Sequence, residues 1–145
     1  KNKKAFILGA GGVASSIILA LKNLGASEIL LSNRTQNKAE NLKKTHPDLK
    51  ILEWGRISDF DIIINATSLG LQKDDKIKLN LSKVGSGKLF YDVIYNPSKT
   101  NFLLEGEKLG NKIENGKMMF IYQAQLAFNI WHNILPKVTN GLLDQ

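Results

Sequence analysis

The chain is predicted to fold as a doubly wound α/β domain, and three observations predict it. Short apolar runs alternate along the whole sequence with segments of helical spacing, the pattern of a sheet wrapped by crossover helices. Runs such as Phe6-Ile7-Leu8 and Ile62-Ile63-Ile64 are apolar at consecutive positions, as in parallel strands buried on both faces. The first run passes through Gly9-Ala10-Gly11-Gly12-Val13-Ala14 straight into a helical segment, a glycine-rich turn joining strand to helix. Right-handed crossovers then give a Rossmann-type parallel sheet in the order 3-2-1-4-5-6, with helices on both faces.

Taken in order, each element has a local reason. The first strand, residues 5–8, is stopped by the glycine turn, and a helix over 12–24 gives out at Gly25. Ile29-Leu30-Leu31-Ser32 forms the second strand, at 29–32, and a lysine-rich helix over 36–45 ends before Pro47. Strands at 51–54 and 61–65 follow, and Gly85-Ser86-Gly87 turns the chain into a fifth at 89–94. Thr100 opens a helix over 100–109 that stops at Gly110. A short sixth strand at 112–114 and an apolar helix over 118–134 complete the order. Ligands of such a sheet lie beyond the carboxyl ends of its strands, at the switch between strands one and four.

Length and composition bound the function. The 145 residues make one domain large enough to bury a core, and 43% hydrophobic with 23% charged residues is ordinary for a globular protein. No apolar run approaches the roughly 20 residues of a membrane span, and no signal-peptide pattern is present. Cysteine is absent, which excludes disulfides, thiolate catalysis and cysteine-ligated metal; His46 and His132 lack ligand spacing, so no metal is expected. A cytoplasmic location fits. The net charge of +7 comes from scattered lysines without interleaved aromatics, so nucleic acid is not expected as a partner. The same positive field favours a polyanionic dinucleotide. The chain begins at Lys1 without an initiator Met, and its first strand follows within a few residues, as in a piece cut from a longer polypeptide at a domain edge.

The glycine turn is the first candidate site. Gly9 allows the sharp exit from the strand, Gly11 lets a pyrophosphate approach without meeting a Cβ, and the small Ala14 lets the helix pack closely on the sheet. The helix N-terminus offers N–H groups and partial positive charge to phosphates. The next strand ends in Asn33-Arg34-Thr35, where NAD-preferring folds place an acidic residue for the ribose hydroxyls. A carboxylate there would repel a 2′-phosphate, whereas Arg34 grips it with a planar fork and Lys38 adds a second cation. Lys and Arg together number 20, of which only Arg34 and Arg56 are arginine, so its position is selective. The expected cofactor is NADP; the plain alternative is an exposed arginine in a turn. After strand four, Asn65-Ala66-Thr67-Ser68 either lines the cofactor's path or forms a hydroxyl-capped turn.

The later segments carry a family resemblance. Asn65-Ala66-Thr67-Ser68-Leu69-Gly70 resembles an Asn-Ala-Thr-Ser-x-Gly turn, and Tyr91-Asp92-Val93-Ile94-Tyr95-Asn96-Pro97 with Thr100-Asn101-Phe102-Leu103 resembles an Asp-x-x-Tyr-x-Pro…Thr-x-Phe-Leu stretch. Asn115-Gly116-x-x-Met119 leading to Gln123-Ala124-x-x-Ala127-Phe128-x-x-Trp131 resembles a final signature. With Gly9–Ala14 and Asn33-Arg34-Thr35 these stand in family order over nearly the whole chain, and they resemble the C-terminal, cofactor-binding domain of the shikimate dehydrogenases. That family reduces 3-dehydroshikimate to shikimate with NADPH, in aromatic amino-acid biosynthesis. The resemblance implies that Thr67 and its neighbours follow the dinucleotide, that Val93 and Gly116 approach the nicotinamide, and that Met119 packs nearby. It further implies that Tyr95 sits by the substrate carboxylate and that Gln123 hydrogen-bonds a ring hydroxyl. Gln123 is also notable alone, because a buried unpaired amide on an apolar helix costs about 1–3 kcal/mol. Met118 stands where many members have glycine, and Val93 replaces a common Met.

The family's catalytic lysine and aspartate belong to an N-terminal substrate domain, so no catalytic residue is assigned in this chain; Lys117 and Asp92 are not substitutes. The rival readings are a stand-alone NADP-binding module and a related quinate or aminoshikimate dehydrogenase. The last helix carries more apolar surface than one face of a surface helix needs. One face is expected on the sheet, with the surplus turned to the substrate domain or, in the isolated chain, to a second copy in a symmetric dimer.

Overall fold

The computed structural model describes residues 1–139 and residue 141. Six strands, β1 (Lys4–Leu8), β2 (Glu28–Ser32), β3 (Lys50–Leu52), β4 (Ile62–Asn65), β5 (Leu89–Asp92) and β6 (Lys112–Glu114), form one all-parallel sheet in the order β3-β2-β1-β4-β5-β6. The helices are α1 (Ala14–Asn23), α2 (Gln36–Thr45), α3 (Asn101–Lys108) and α4 (Lys117–His132). No helix among the described residues is long and apolar enough to cross a membrane.

Adjacent residues of one strand serve opposite cores, which is why the runs are continuously apolar. Phe6, Leu8, Leu30, Ile63 and Phe90 join Phe102 and Leu103 of α3 on one face; Ile7, Ile29, Leu31 and Ile64 join Ala14 and Ile18 of α1 and Ala39 of α2 on the other. Phe6, Phe60, Phe90 and Phe102 form an aromatic chain with successive centroids 6.2, 6.1 and 5.2 Å apart. Between β4 and β5 no helix forms; Ile77 and Leu81 of that irregular stretch plug the α3-side core instead.

Register decides where the loops emerge. Leu52 pairs with Ser32, Ser32 with Leu8, Leu8 with Asn65 and Asn65 with Asp92, so five strand ends stand in one row across the sheet. The glycine turn, Asn33-Arg34, the 66–70 turn and Val93 all leave from that row.

Several boundaries differ from the sequence expectation for identifiable reasons. Helix α1 starts at Ala14 because residues 11–14 close a turn, the Ala14 N–H donating to the Gly11 carbonyl at 3.0 Å. β5 stops at Asp92, whose carboxylate turns back to accept the Ile94 N–H at 3.0 Å. β3 ends at Leu52, leaving Trp54 in a turn. Helix α4 ends at His132, where Asn133 adopts the left-handed conformation, so Ile134 lies outside it. The larger correction concerns the packing of α4. One face was expected on the sheet, yet none of its residues is buried, and Ile130 and Trp131 are 79% and 76% exposed.

Candidate functional site

The cleft is built at the row of strand ends. Gly9 leaves β1 at φ +104°, and a Cβ there would stand 2.8 Å from the Thr67 side chain and 2.9 Å from the Ala66 carbonyl oxygen. Any other residue would be strained by both backbone angle and collision with the 66–67 turn. Asn33 then locks two loops together: its Oδ1 accepts the Ala10 N–H at 3.0 Å and its Nδ2 donates to the Thr35 carbonyl at 2.7 Å. A carboxylate at 33 would lack that second donor, so the neutral amide that suits a 2′-phosphate also braces the turn.

The glycine turn faces open space. A Cβ on Gly12 would meet nothing within 4 Å, and one on Gly11 only the Ala66 oxygen at 3.9 Å. Helix α1 begins there with no side-chain cap at Val13 and no acidic residue in its first turn, so its N-terminal field is uncompensated. Ala14, fully buried beneath, keeps the helix close to the sheet. Gly9, Ala10, Gly11, Asn33, Arg34, Thr35, Lys38, Ala66, Thr67, Ser68, Leu69 and Trp54 line a cleft of about 380 Å³. Among the described residues Arg34 and Lys38 form no ion pair; lysines elsewhere such as Lys43 and Lys73 form none either, so what distinguishes this pair is its place in the cleft beside the glycine turn. Open space before a helix N-terminus, flanked by two uncommitted cations, fits a phosphorylated dinucleotide.

A buried polar clasp shapes the far wall. Asn65 is fully buried; its Nδ2 donates to the Leu69 carbonyl at 3.0 Å and to both Asp92 oxygens at 3.1 Å. Its Oδ1 accepts from the Thr67 N–H at 3.0 Å and the Thr67 hydroxyl at 2.7 Å, and the Thr67 Oγ1 accepts the Leu69 N–H at 3.0 Å. The Asn65 and Thr67 side chains are therefore spent on the turn, which presents its backbone and Ser68 outward. Asp92 also accepts the Thr100 hydroxyl at 2.6 Å. Burial pushes the Asp92 pKa above the ordinary carboxylate range, against the pull of donors from Thr100, Ile94 and Asn65.

Past β5 and β6 a second group assembles. A Cβ on Gly116 would lie 2.0 Å from the Val93 carbonyl oxygen, and the Gly116 N–H donates to the Ile94 carbonyl at 3.2 Å, so these backbones touch. Asn115 accepts the Lys117 N–H at 3.0 Å and donates to the Ser98 carbonyl at 2.9 Å, fixing where α4 starts. Tyr95, 44% exposed, stacks on Phe120 of α4 with centroids 4.7 Å apart.

The family model described as Shikimate / quinate 5-dehydrogenase matches residues 1–93. The chain belongs to that family. Shikimate dehydrogenase (NADP(+)) of Pelagibacter ubique (strain HTCC1062) is 59% identical over 147 residues, covering 99% of this chain and 56% of the relative. A solved shikimate dehydrogenase from Aquifex aeolicus superposes with TM-score 0.86 at 31% identity, covering 99% of this chain and 53% of that one. Another, in complex with NADP+, gives 0.83 at 30% identity, covering 99% of this chain and 55% of that one. The chain spans about half the length of the curated relatives it matches.

Within this member of the shikimate/quinate dehydrogenase family the predicted residues fall into two groups. Gly9, Ala10, Gly11, Asn33, Arg34, Thr35, Lys38, Ala66, Thr67 and Ser68 share the cleft; Gly12 and Val13 stand at its rim, and Asn65 and Ala14 lie beneath. Val93, Gly116, Met119 and Tyr95 gather at the start of α4, outside that cleft. Gln123 corrects one expectation: its amide is exposed, so no desolvation cost attaches to it in this chain. Sequence reasoning missed Leu69 and Trp54 as walls. Trp54 follows the strand beside the one that delivers Arg34, and that neighbourhood was its available signal.

Proposed function

We propose that this chain is the NADP-binding Rossmann domain of a cytoplasmic shikimate dehydrogenase, the part of a longer enzyme that holds NADPH while 3-dehydroshikimate is reduced to shikimate. The observation that carries the reading is the pair of uncommitted cations, Arg34 and Lys38, beside a neutral Asn33 at the end of β2. The glycine turn and the α1 N-terminus would hold the pyrophosphate, and Arg34 and Lys38 would hold the 2′-phosphate. Bound NADPH supplies the hydride. The 66–68 backbone would border the dinucleotide, and the family resemblance assigns Val93, Gly116 and Met119 to the nicotinamide.

Tyr95 is held ready by Phe120 to receive the substrate, and Gln123, one turn further along α4, offers an exposed amide to its hydroxyls. Asp92 is sealed from solvent with its oxygens engaged. The family resemblance assigns the proton for the carbonyl oxygen to a lysine and aspartate of the substrate domain, against which the exposed apolar face of α4 would pack.

Calorimetric titration with NADP and with NAD tests the reading. A clear preference for NADP supports it; equal affinities overturn it.

A further inference from the structure

Trp54 is the aromatic residue among those lining the cleft, and its indole is also shared with an adjoining cavity of about 600 Å³ bounded by Asn33, Arg34, Gln36, Glu40 and Lys43. It is half-buried: part of the ring packs against the α3-side core, which holds Leu8, Leu30 and Phe60, and part is open to the cleft. Such a ring is preorganised, since the core fixes its rotamer before anything binds.

Strand order says what reaches it. The phosphates belong above β1, where the glycine turn meets α1, and the 2′-phosphate belongs at the end of β2, with Arg34. The next strand outward is β3, and Trp54 stands just past its end. Neighbouring strands are about 4.8 Å apart, a step comparable to the ribose that joins the 2′-phosphate to its base. The nicotinamide end runs the opposite way, over β4 and β5. Only the base of the adenosine half therefore arrives at Trp54, and purines stack readily on aromatic faces.

We infer that Trp54 is the adenine-stacking platform of this chain's dinucleotide site, with Arg34 as the cationic wall beside it. The inference rests on the NADP reading above and adds a residue that touches the part of the ligand remote from the chemistry. Trp54 accordingly contributes to holding NADP and 2′,5′-ADP alike, and contributes nothing to holding nicotinamide mononucleotide.

The chain contains two tryptophans, and the other, Trp131, is exposed on α4. A Trp131→Phe variant leaves Trp54 as the sole indole reporter. Titrated with NADP+, 2′,5′-ADP and nicotinamide mononucleotide, its emission is expected to quench with the first two and not with the third. Calorimetry on Trp54→Leu is expected to show roughly five- to 150-fold weaker binding of both adenine ligands, the range that stacking energies of about 1–3 kcal/mol convert to. Trp54→Phe should restore most of it, with melting curves confirming that both variants fold. Unchanged Trp54 emission while calorimetry records NADP+ binding overturns the inference and leaves the cofactor reading intact. A chain that fails to bind NADP+ at all overturns both.

Discussion

Gly106 sits inside α3, and replacing it by alanine sets two known effects against each other. Helix propensity alone favours the substitution, because glycine in a helix interior is about 1 kcal/mol worse than alanine. The packing says otherwise. A Cβ at Gly106 would lie 2.5, 2.6 and 2.9 Å from three atoms of the Phe90 ring. That ring is fully buried and wedged between Phe60 and Phe102, with centroids 6.1 and 5.2 Å away, so it has nowhere to retreat. Overpacking of this kind costs about 1–3 kcal/mol, and three contacts under 3 Å on an immobile ring put it at the upper end. The net is a loss of about 2 kcal/mol, or about 6 °C in Tm for a chain of this length. Thermal melts followed by circular dichroism measure it. In a Phe90→Leu background, where the ring is gone, the same Gly106→Ala change should cost nothing or stabilise. A Tm equal to or above that of the unmutated chain would refute the packing argument and leave propensity as the winner.

Arg34→Ala should remove most of the preference for NADP over NAD, roughly tenfold or more, since charge-assisted hydrogen bonds contribute about 1.5–3 kcal/mol each; calorimetry with both cofactors checks it, and an undiminished preference counts against Arg34. The isolated chain should not turn over 3-dehydroshikimate with NADPH, because Asp92 is buried with its oxygens engaged and the family resemblance assigns the proton donor to the substrate domain; steady NADPH consumption by purified chain would show that reasoning to be mistaken. The bare face of α4, with Leu126 57% and Trp131 76% exposed, should make the isolated chain self-associate, seen as a concentration-dependent rise in sedimentation coefficient; a monomer at every concentration that binds no hydrophobic dye would contradict this. Burial raises the Asp92 pKa, so its stabilising contribution is complete below the ordinary Asp range and is lost as pH rises through the folded-state value. Relative to Asp92→Asn, the unmutated chain should therefore gain Tm as pH is lowered from neutrality toward 4, and a gap independent of pH would argue against the shift.

The sequence by itself determined whatever depends on neighbours along the chain. Consecutive apolar runs announced strands buried on both faces, and the strand order followed from their alternation with helices and from crossover handedness. Gly9 through Ala14, Asn33-Arg34 and Lys38 were legible as a phosphate site because their signals, a glycine turn after a strand and a guanidinium at the end of the next, are local. Tertiary structure decided what depends on residues far apart in sequence meeting in space. Gly9 is glycine because Thr67 lies against it, and Gly116 because the Val93 carbonyl does. Asn65 is turned inward to Asp92, and it fixes the Thr67 hydroxyl while Thr67 still lines the cleft. Trp54 became a wall of the cleft only when β3 paired beside β2. Helix α4 carries more apolar residues than one face needs, but that none of them is buried is settled only by where the folded chain places the helix. Propensity and periodicity act over a few residues and survive in the linear text, whereas close approach and burial are set by the register that strands adopt together.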